Sequence, residues 1–311
     1  MYFVGVDIGG TGIQAGVVNE FGKILFRKEC KTDVDSGFEK VMNDINTLVR
    51  SLLDENNISI ENIESIGFGV PSFINKTGLV TCVNLGWFEV DFMDALKRRF
   101  PEVKVNAEND ATVAALGEAK FGSMKGASVA VMYTLGTGVG GGIIINEKAF
   151  TGAHGMGSEI GHAIIGENYF DCNCGNNGCL ETFCSATAII KYAQKLIIEG
   201  RKSVILDLVE GDLEQITAKT VFDAYRQGDE VAIKIITRFK MYLAKAMASI
   251  INILDPEIIS IGGGVSRASD IILKDIEPII REYVLYRNED FAKIVCASLG
   301  SDAGIIGAAF L

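Results

Sequence analysis

The chain has 311 residues, 48% of them hydrophobic, and sets 40 Asp+Glu against 29 Lys+Arg, a formal charge of −11. That length suits about two domains of ~100–200 residues, and the acidic balance opposes nucleic acid or an anionic membrane surface as a partner, since both require basic patches. With 35 glycines and only 4 prolines in an apolar composition, the chain reads as a packed protein rich in tight turns, in which a phosphate must be held by backbone amides and metal rather than by a Lys/Arg cluster.

Residues 1–6 run straight into Asp7 with no secretory segment, and no apolar run reaches the ~18 residues of a membrane span. A soluble, cytoplasmic protein is expected. Residues 2–8 (YFVGVDI) form a strand that stops at Gly9-Gly10-Thr11-Gly12; 13–19 and 24–30 continue as strands across turns so short that the neighbours must be antiparallel. Phe38, Val41, Ile45, Leu48, Val49 and Leu52 recur at helical spacing. A buried strand, IESIGFGV, ends at Pro71; a short helix near 91–100, a strand at 103–107 and a helix from about Asp110 follow.

A second start comes at 128–135 (SVAVMYTL), which enters the glycine run 136–142 and leaves as the strand IIIN. VGVDIGGTG aligns with VMYTLGTGV, and two glycine hairpins opening two halves suggest an internal duplication; coincidence is the rival, because such turns are common. Helices at about 185–199, 218–227 and 229–252, a strand at 257–261, Gly262-Gly263-Gly264, a helix to about 286, a strand KIVCASL and a terminal helix complete the chain. The pattern indicates mixed-sheet α/β domains.

Asp7, Gly9, Gly10 and Thr11 stand at a strand end, where backbone N–H groups and a hydroxyl can face an anion. Asp7 would repel a phosphate, so its role is to hold Mg²⁺ or its waters. The stretch Thr134, Gly136, Thr137, Gly138 offers a matching cradle. Glu108-Asn109-Asp110 precedes an Ala-rich helix; the bland reading is an N-cap, the functional one a carboxylate held ionised to accept a proton from a substrate hydroxyl.

Seven cysteines divide unevenly. Cys30, Cys82, Cys184 and Cys296 are scattered and read as buried small hydrophobes. His162 with Cys172, Cys174 and Cys179 makes a closed Cys₃His set, which for Zn²⁺ means a structural site; a redox role for the thiols is the rival. His154 reads as a loop residue. Glu159 and Glu181 flank the set. Individually each could be an exposed charge, but carboxylates beside an imidazole N–H on a metal-stapled loop suit a polyol.

VGVDIGGT, NLGW (84–87), ENDA (108–111), TLGTGVGGG (134–142), SEIGH (158–162), CNCGNNGCLE (172–181), SIGGGVS (260–266) and DAGIIGAA (302–309) together resemble the ROK family (repressors, open reading frames, sugar kinases), most closely its bacterial glucokinase-like members. The resemblance implies an actin-like ATPase (ribonuclease H-like) fold, with two mixed-sheet domains around a cleft: 1–115 plus 300–311, and 116–299. It implies ATP-dependent phosphorylation of a hexose 6-hydroxyl, glucose first, with N-acetylglucosamine, N-acetylmannosamine and fructose as alternatives.

By the same resemblance, Asp110 is the general base, and Asn109, Asp110, Glu159, His162 and Glu181 bind the sugar. The two Gly/Thr turns hold ATP–Mg²⁺, Gly262, Gly263 and Gly264 lie on the adenosine side, and His162, Cys172, Cys174 and Cys179 bind structural Zn²⁺. A homodimer or dimer of dimers is implied. Gly12 stands where many members carry Lys, Ser72 where Gly is usual and Thr112 where Asn is common; the first two leave donor and sugar open. A sugar-sensing repressor of the family would carry a DNA-binding segment ahead of the Asp7 strand, for which six residues leave no room.

Overall fold

The computed structural model describes residues 1–311. Its chain divides into two compact units, one of residues 1–130, 142–158 and 297–311, the other of 131–141 and 159–296. No helix is long and apolar enough to cross a membrane.

The first unit opens with strands β1 (Tyr2–Ile8), β2 (Gly12–Asn19) and β3 (Ile24–Lys31), followed by helix α1 (Phe38–Glu55) and β4 (Ile63–Val70). The apolar stripe of α1 buries Val41, Ile45, Leu48, Val49 and Leu52, as its spacing predicts, while Phe38 is half-buried. A small hairpin, β5 (Leu79–Cys82) and β6 (Trp87–Asp91), comes next; the sequence reading missed it. Asp91 then caps α2 (Phe92–Arg99) by accepting from Asp94 N at 3.0 Å, and β7 (Lys104–Asn109) runs into α3 (Asp110–Phe121).

Strands β8 (Val129–Leu135), β9 (Val139–Ile145) and β10 (Lys148–Ala149) repeat the opening pattern. β9 begins inside the glycine run rather than after it, because a side chain on Gly141 would meet Ile160 and the Met132 carbonyl at 2.2 and 2.5 Å. The helices α4 (Glu181–Cys184), α5 (Ala186–Ile198), α6 (Val204–Asp207), α7 (Ala218–Arg226) and α8 (Glu230–Leu254) follow. Asp229 caps α8, which ends at Asp255 in the left-handed region ahead of Pro256. Apolar faces of α5, α7 and α8 bury Leu196, Phe222, Phe239 and Leu243, so the middle of the second unit is a helical core.

After β11 (Ile258–Gly262), the single helix expected up to 286 is broken. A 3-10 turn at 264–268 precedes α9 (Ser269–Ile272) and α10 (Ile276–Arg281). Asp275 takes a left-handed conformation (φ 59°) between them, and Pro278 lacks the N–H that a continuous helix would need. Strand β12 (Lys293–Cys296) is shorter than expected, and α11 (Ala303–Ala309) closes the chain.

Two five-stranded sheets result, in the orders β3-β2-β1-β4-β7 and β10-β9-β8-β11-β12. The orders match strand for strand, which favours duplication over coincidence for the two hairpins. β1 pairs antiparallel with β2 and parallel with β4, and β11 pairs parallel with β12, the mixed sheets that the sequence predicts. Within the first unit α11 lies almost on the backbone of its neighbours. A Cβ added at Gly5 would fall 1.8 Å from the Ile305 carbonyl oxygen, and one at Gly67 1.8 Å from that of Ala308.

Candidate active site: two glycine turns, a helix start and a Cys₃His loop

The start of α3 separates two side chains that the sequence left ambiguous. Asn109 is the N-cap: its Oδ1 accepts from Ala111 N (3.0 Å) and Thr112 N (3.1 Å). The bland role therefore belongs to Asn109, and Asp110 is the first helical residue, half-buried, its Oδ1 accepting from Ala111 N at 2.7 Å. A carboxylate there sits on the positive end of the helix dipole, which favours its ionised, proton-accepting form. The remaining donor of Asn109, Nδ2, reaches the Ser72 carbonyl at 3.5 Å. Glu108 next to it has its carboxyl pushed up by burial, against one hydrogen bond from Asn109 N.

The first glycine turn is closed by Gly9 N donating to Gly12 O at 2.9 Å. Thr32 holds it from behind: its Oγ1 donates to Gly9 O at 2.6 Å and its N–H to Thr11 O at 3.3 Å. A Cβ on Gly10 would meet nothing within 4 Å, so packing gives no reason for glycine there, while close approach of a ligand does. Asp7, at the end of β1, is half-buried, and burial pushes its carboxyl up. A Cβ on Gly304 would lie 2.6 Å from Asp7 Oδ2. A desolvated carboxylate beside a Gly/Thr turn fits a Mg²⁺ ligand.

The second turn is built alike. Gly136 N donates to Gly138 O (2.9 Å), Ala186 N to Gly136 O (2.8 Å) and Thr187 Oγ1 to Thr137 O (2.8 Å). A Cβ on Gly136 again meets nothing, whereas one on Gly138 would strike Glu181 Oε2 at 2.3 Å. Thr134 is half-buried at the end of β8, and Leu135 leads into the turn. Gly262 ends β11, and a Cβ added at Gly263, which has φ 82°, would fall 2.5 Å from the Leu135 carbonyl oxygen; Gly264 is open. In the second unit this three-glycine corner therefore adjoins the strand that feeds the second turn.

The loop 159–181 brings the four predicted metal ligands together. Donor atoms of His162, Cys172, Cys174 and Cys179 all lie within 4.8 Å of one another; Cys172 Sγ is 3.6 Å from His162 Nδ1, and Cys174 Sγ is 3.5 Å from Cys179 Sγ. Tetrahedral Zn–S bonds of about 2.3 Å imply ligand separations of about 3.8 Å, so the set fits one Zn²⁺. Their ionisation fits as well. The backbone N–H of Asn176 is the main influence pulling Cys174 down to about 7, while burial pushes Cys172 up and Cys179 up to about 12. Three adjacent thiols resist ionising together without a cation to neutralise them.

His162 is exposed, and its Nδ1 faces the Cys172 sulfur. Glu159 is exposed in the turn just before His162. Glu181, half-buried at the first position of α4, accepts from Val139 N (3.0 Å) with Oε2 and from Cys172 Sγ (3.6 Å) with Oε1, and so links the metal loop to the second turn. His154 lies in an exposed turn outside the ligand set. Of the other cysteines Cys82 and Cys184 are buried, but Cys30 and Cys296 are only half-buried, against the expectation for all four.

Support for the metal loop comes from residues that sequence reasoning missed. Arg238 on α8 places its guanidinium 4.6 Å from the ring centres of both Phe183 and Tyr192 and donates to Asn168 Oδ1 at 2.6 Å. Asn168 in turn donates to the Thr182 carbonyl at 2.6 Å. No motif marks Arg238, because its role depends on helix packing rather than spacing.

Duplicated mixed sheets, each with a Gly/Thr turn behind its central strand, define the actin-like ATPase fold, here carrying a Cys₃His loop. The chain belongs to the ROK family, whose profile matches residues 3–311. It is 39% identical to a glucokinase of Halalkalibacterium halodurans over 100% of this chain and 94% of that one, and 37% identical to a glucokinase of Thermotoga maritima over 98% and 95%. Among solved structures, a ROK family glucokinase from Streptomyces griseus, in complex with glucose and AMPPNP, superposes with a TM-score of 0.82 at 31% identity, covering 100% of this chain and 98% of that one.

Proposed function

We propose that this protein is a sugar kinase that transfers the γ-phosphoryl group of ATP to the 6-hydroxyl of glucose. The observation that carries the reading is similarity to glucokinases along the whole chain. Asp110 takes the O6 proton as the O6–P bond forms and the bond from the γ-phosphorus to the ADP oxygen breaks. Its position at a helix start, with capping delegated to Asn109, supports that role.

In this reading Asn109, Glu159, His162 and Glu181 bind sugar hydroxyls. Asn109 Oδ1 is occupied by the helix and one Nδ2 hydrogen faces the Ser72 carbonyl, so its second amide hydrogen is the part available to the sugar. Asp7, Gly9, Gly10 and Thr11 serve the Mg²⁺-bound phosphates with Thr134, Gly136, Thr137 and Gly138, and Gly262, Gly263 and Gly264 serve the adenosine side. His162, Cys172, Cys174 and Cys179 hold structural Zn²⁺, which when bound fixes the imidazole and leaves its second nitrogen for hydrogen bonding. Phosphoryl transfer requires mainly positioning and charge stabilisation, and amides with a metal supply both in a protein of net charge −11. We further infer a homodimer or dimer of dimers that partners small molecules and not nucleic acid or membrane.

The test is kcat/KM with Mg·ATP across hexoses, read by ADP release. Glucose should rank first. A higher value for N-acetylglucosamine, N-acetylmannosamine or fructose would reassign the substrate, and ADP release from none of them would refute the kinase reading.

A further inference from the structure

Each glycine turn is gripped from behind by a threonine outside it. In the first turn Thr32 donates its hydroxyl to Gly9 O (2.6 Å) and its N–H to Thr11 O (3.3 Å); in the second Thr187 donates its hydroxyl to Thr137 O and the preceding residue, Ala186, its N–H to Gly136 O, both at 2.8 Å. The gripping segments have no sequence likeness. Thr32 follows an edge strand, while Thr187 is the second residue of a helix.

A trans peptide is planar, so a C=O and the N–H that follows it point in opposite directions. Holding Gly9 O backwards therefore turns Gly10 N–H forwards. Holding Gly136 O and Thr137 O does the same for the N–H groups of Thr137 and Gly138. None of these three N–H groups donates to a backbone carbonyl, and a Cβ at Gly10 or Gly136 would project into open space. Free amides on a turn can face an anion, and their aim depends on what holds the carbonyls. Glycine-rich backbone cannot hold that aim by itself, because glycine has the widest conformational freedom.

We propose that Thr32 and Thr187 are positioning residues for nucleotide phosphate, each orienting the amides of one glycine turn through a hydroxyl-to-carbonyl hydrogen bond. Neither touches the phosphate; each acts through the turn. The inference rests on the kinase reading above. It predicts a selective effect: loss of either hydroxyl weakens nucleotide binding and leaves sugar binding alone.

The experiment compares Thr32→Val, Thr187→Val, Thr32→Ser and Thr187→Ser with the wild type. Affinity for Mg·AMPPNP is measured by calorimetry, and KM for ATP and for glucose by steady-state kinetics. Each valine variant should bind nucleotide about 3- to 10-fold more weakly, the range for one lost hydrogen bond. The glucose KM should stay within twofold of wild type, and serine should restore nucleotide affinity. Alanine variants repeat the hydroxyl loss should a valine disturb the fold. Undiminished nucleotide affinity in folded Val or Ala variants of a nucleotide-binding wild type would overturn this inference alone, as would equal losses in the serine variants. A wild type that binds no nucleotide would overturn it together with the kinase reading.

Discussion

The β1–β2 and β8–β9 hairpins occupy the same place in two sheets of the same strand order, yet they end differently and are secured differently. The penultimate residue of β1 is a half-buried carboxylate, Asp7, ahead of Ile8, and that of β8 is a hydroxyl, Thr134, ahead of Leu135. The first hairpin's sheet is stitched by backbone-to-backbone packing of α11, with Gly5 and Gly67 under the carbonyls of Ile305 and Ala308. The second hairpin is tied by Glu181 to the loop that carries the Cys₃His set, and by Thr187 to the start of α5. A duplicated scaffold has thus kept its backbone geometry while its polar chemistry diverged. Threonine hydrogen bonds hold both turns, but close steric fit of α11 is added to the first copy and a carboxylate contact from Glu181 to the second.

Four substitutions sharpen that contrast. Asp110→Asn removes the proposed base without disturbing the cap on Asn109, so kcat should fall about 10²- to 10⁴-fold while calorimetry still detects glucose binding. Retained kcat would remove Asp110 from that role. Gly67→Ala forces a methyl into the Ala308 carbonyl and should destabilise the protein by about 3 kcal/mol in denaturant unfolding; an unchanged midpoint would contradict the packing account. Cys174→Ser should release Zn²⁺, measured by metal analysis, and raise the glucose KM about 3- to 10-fold by freeing His162, the size of one lost hydrogen bond. An unchanged KM in a verified zinc-free protein would break the link between metal and sugar.

The smallest effect concerns Asp7. Burial raises its carboxyl pKa in the folded state, so ionised Asp7 opposes folding above that pKa, and the protonated form does not below the unfolded value. Asp7→Asn should therefore melt slightly higher than wild type at pH 7, with the difference vanishing as the pH falls into the carboxylate range. The same variant should need more Mg·ATP for half-saturation. Equal melting at all pH values would mean that Asp7 is solvated or paired.

Much of this arrangement was legible in the sequence for physical reasons that act locally. Short turns force antiparallel pairing, an amphipathic stripe produces α1, and a Cys/His spacing brings four potential ligand atoms together because the intervening glycines allow the turn. What escaped the sequence depends on partners distant along the chain. Residues 79–91 form a hairpin that no strong turn signal announces, and residues 264–286 break at Asp275, where the Lys240 ammonium takes the Lys274 carbonyl. Thr32, Thr187 and Arg238 sit in unremarkable stretches and gain their roles only from the backbone that they face. The N-cap ambiguity at 109–110 needed the structure too, since either side chain could have capped α3.

The central claim, phosphoryl transfer from ATP to a sugar, is tested most directly by product analysis of the wild-type, zinc-loaded protein with glucose and Mg·ATP. Phosphorus NMR with parallel ADP quantification should find one ADP for each glucose 6-phosphate, and no ADP without sugar. ADP formed independently of glucose, or no phosphorylated sugar at all, would contradict the account.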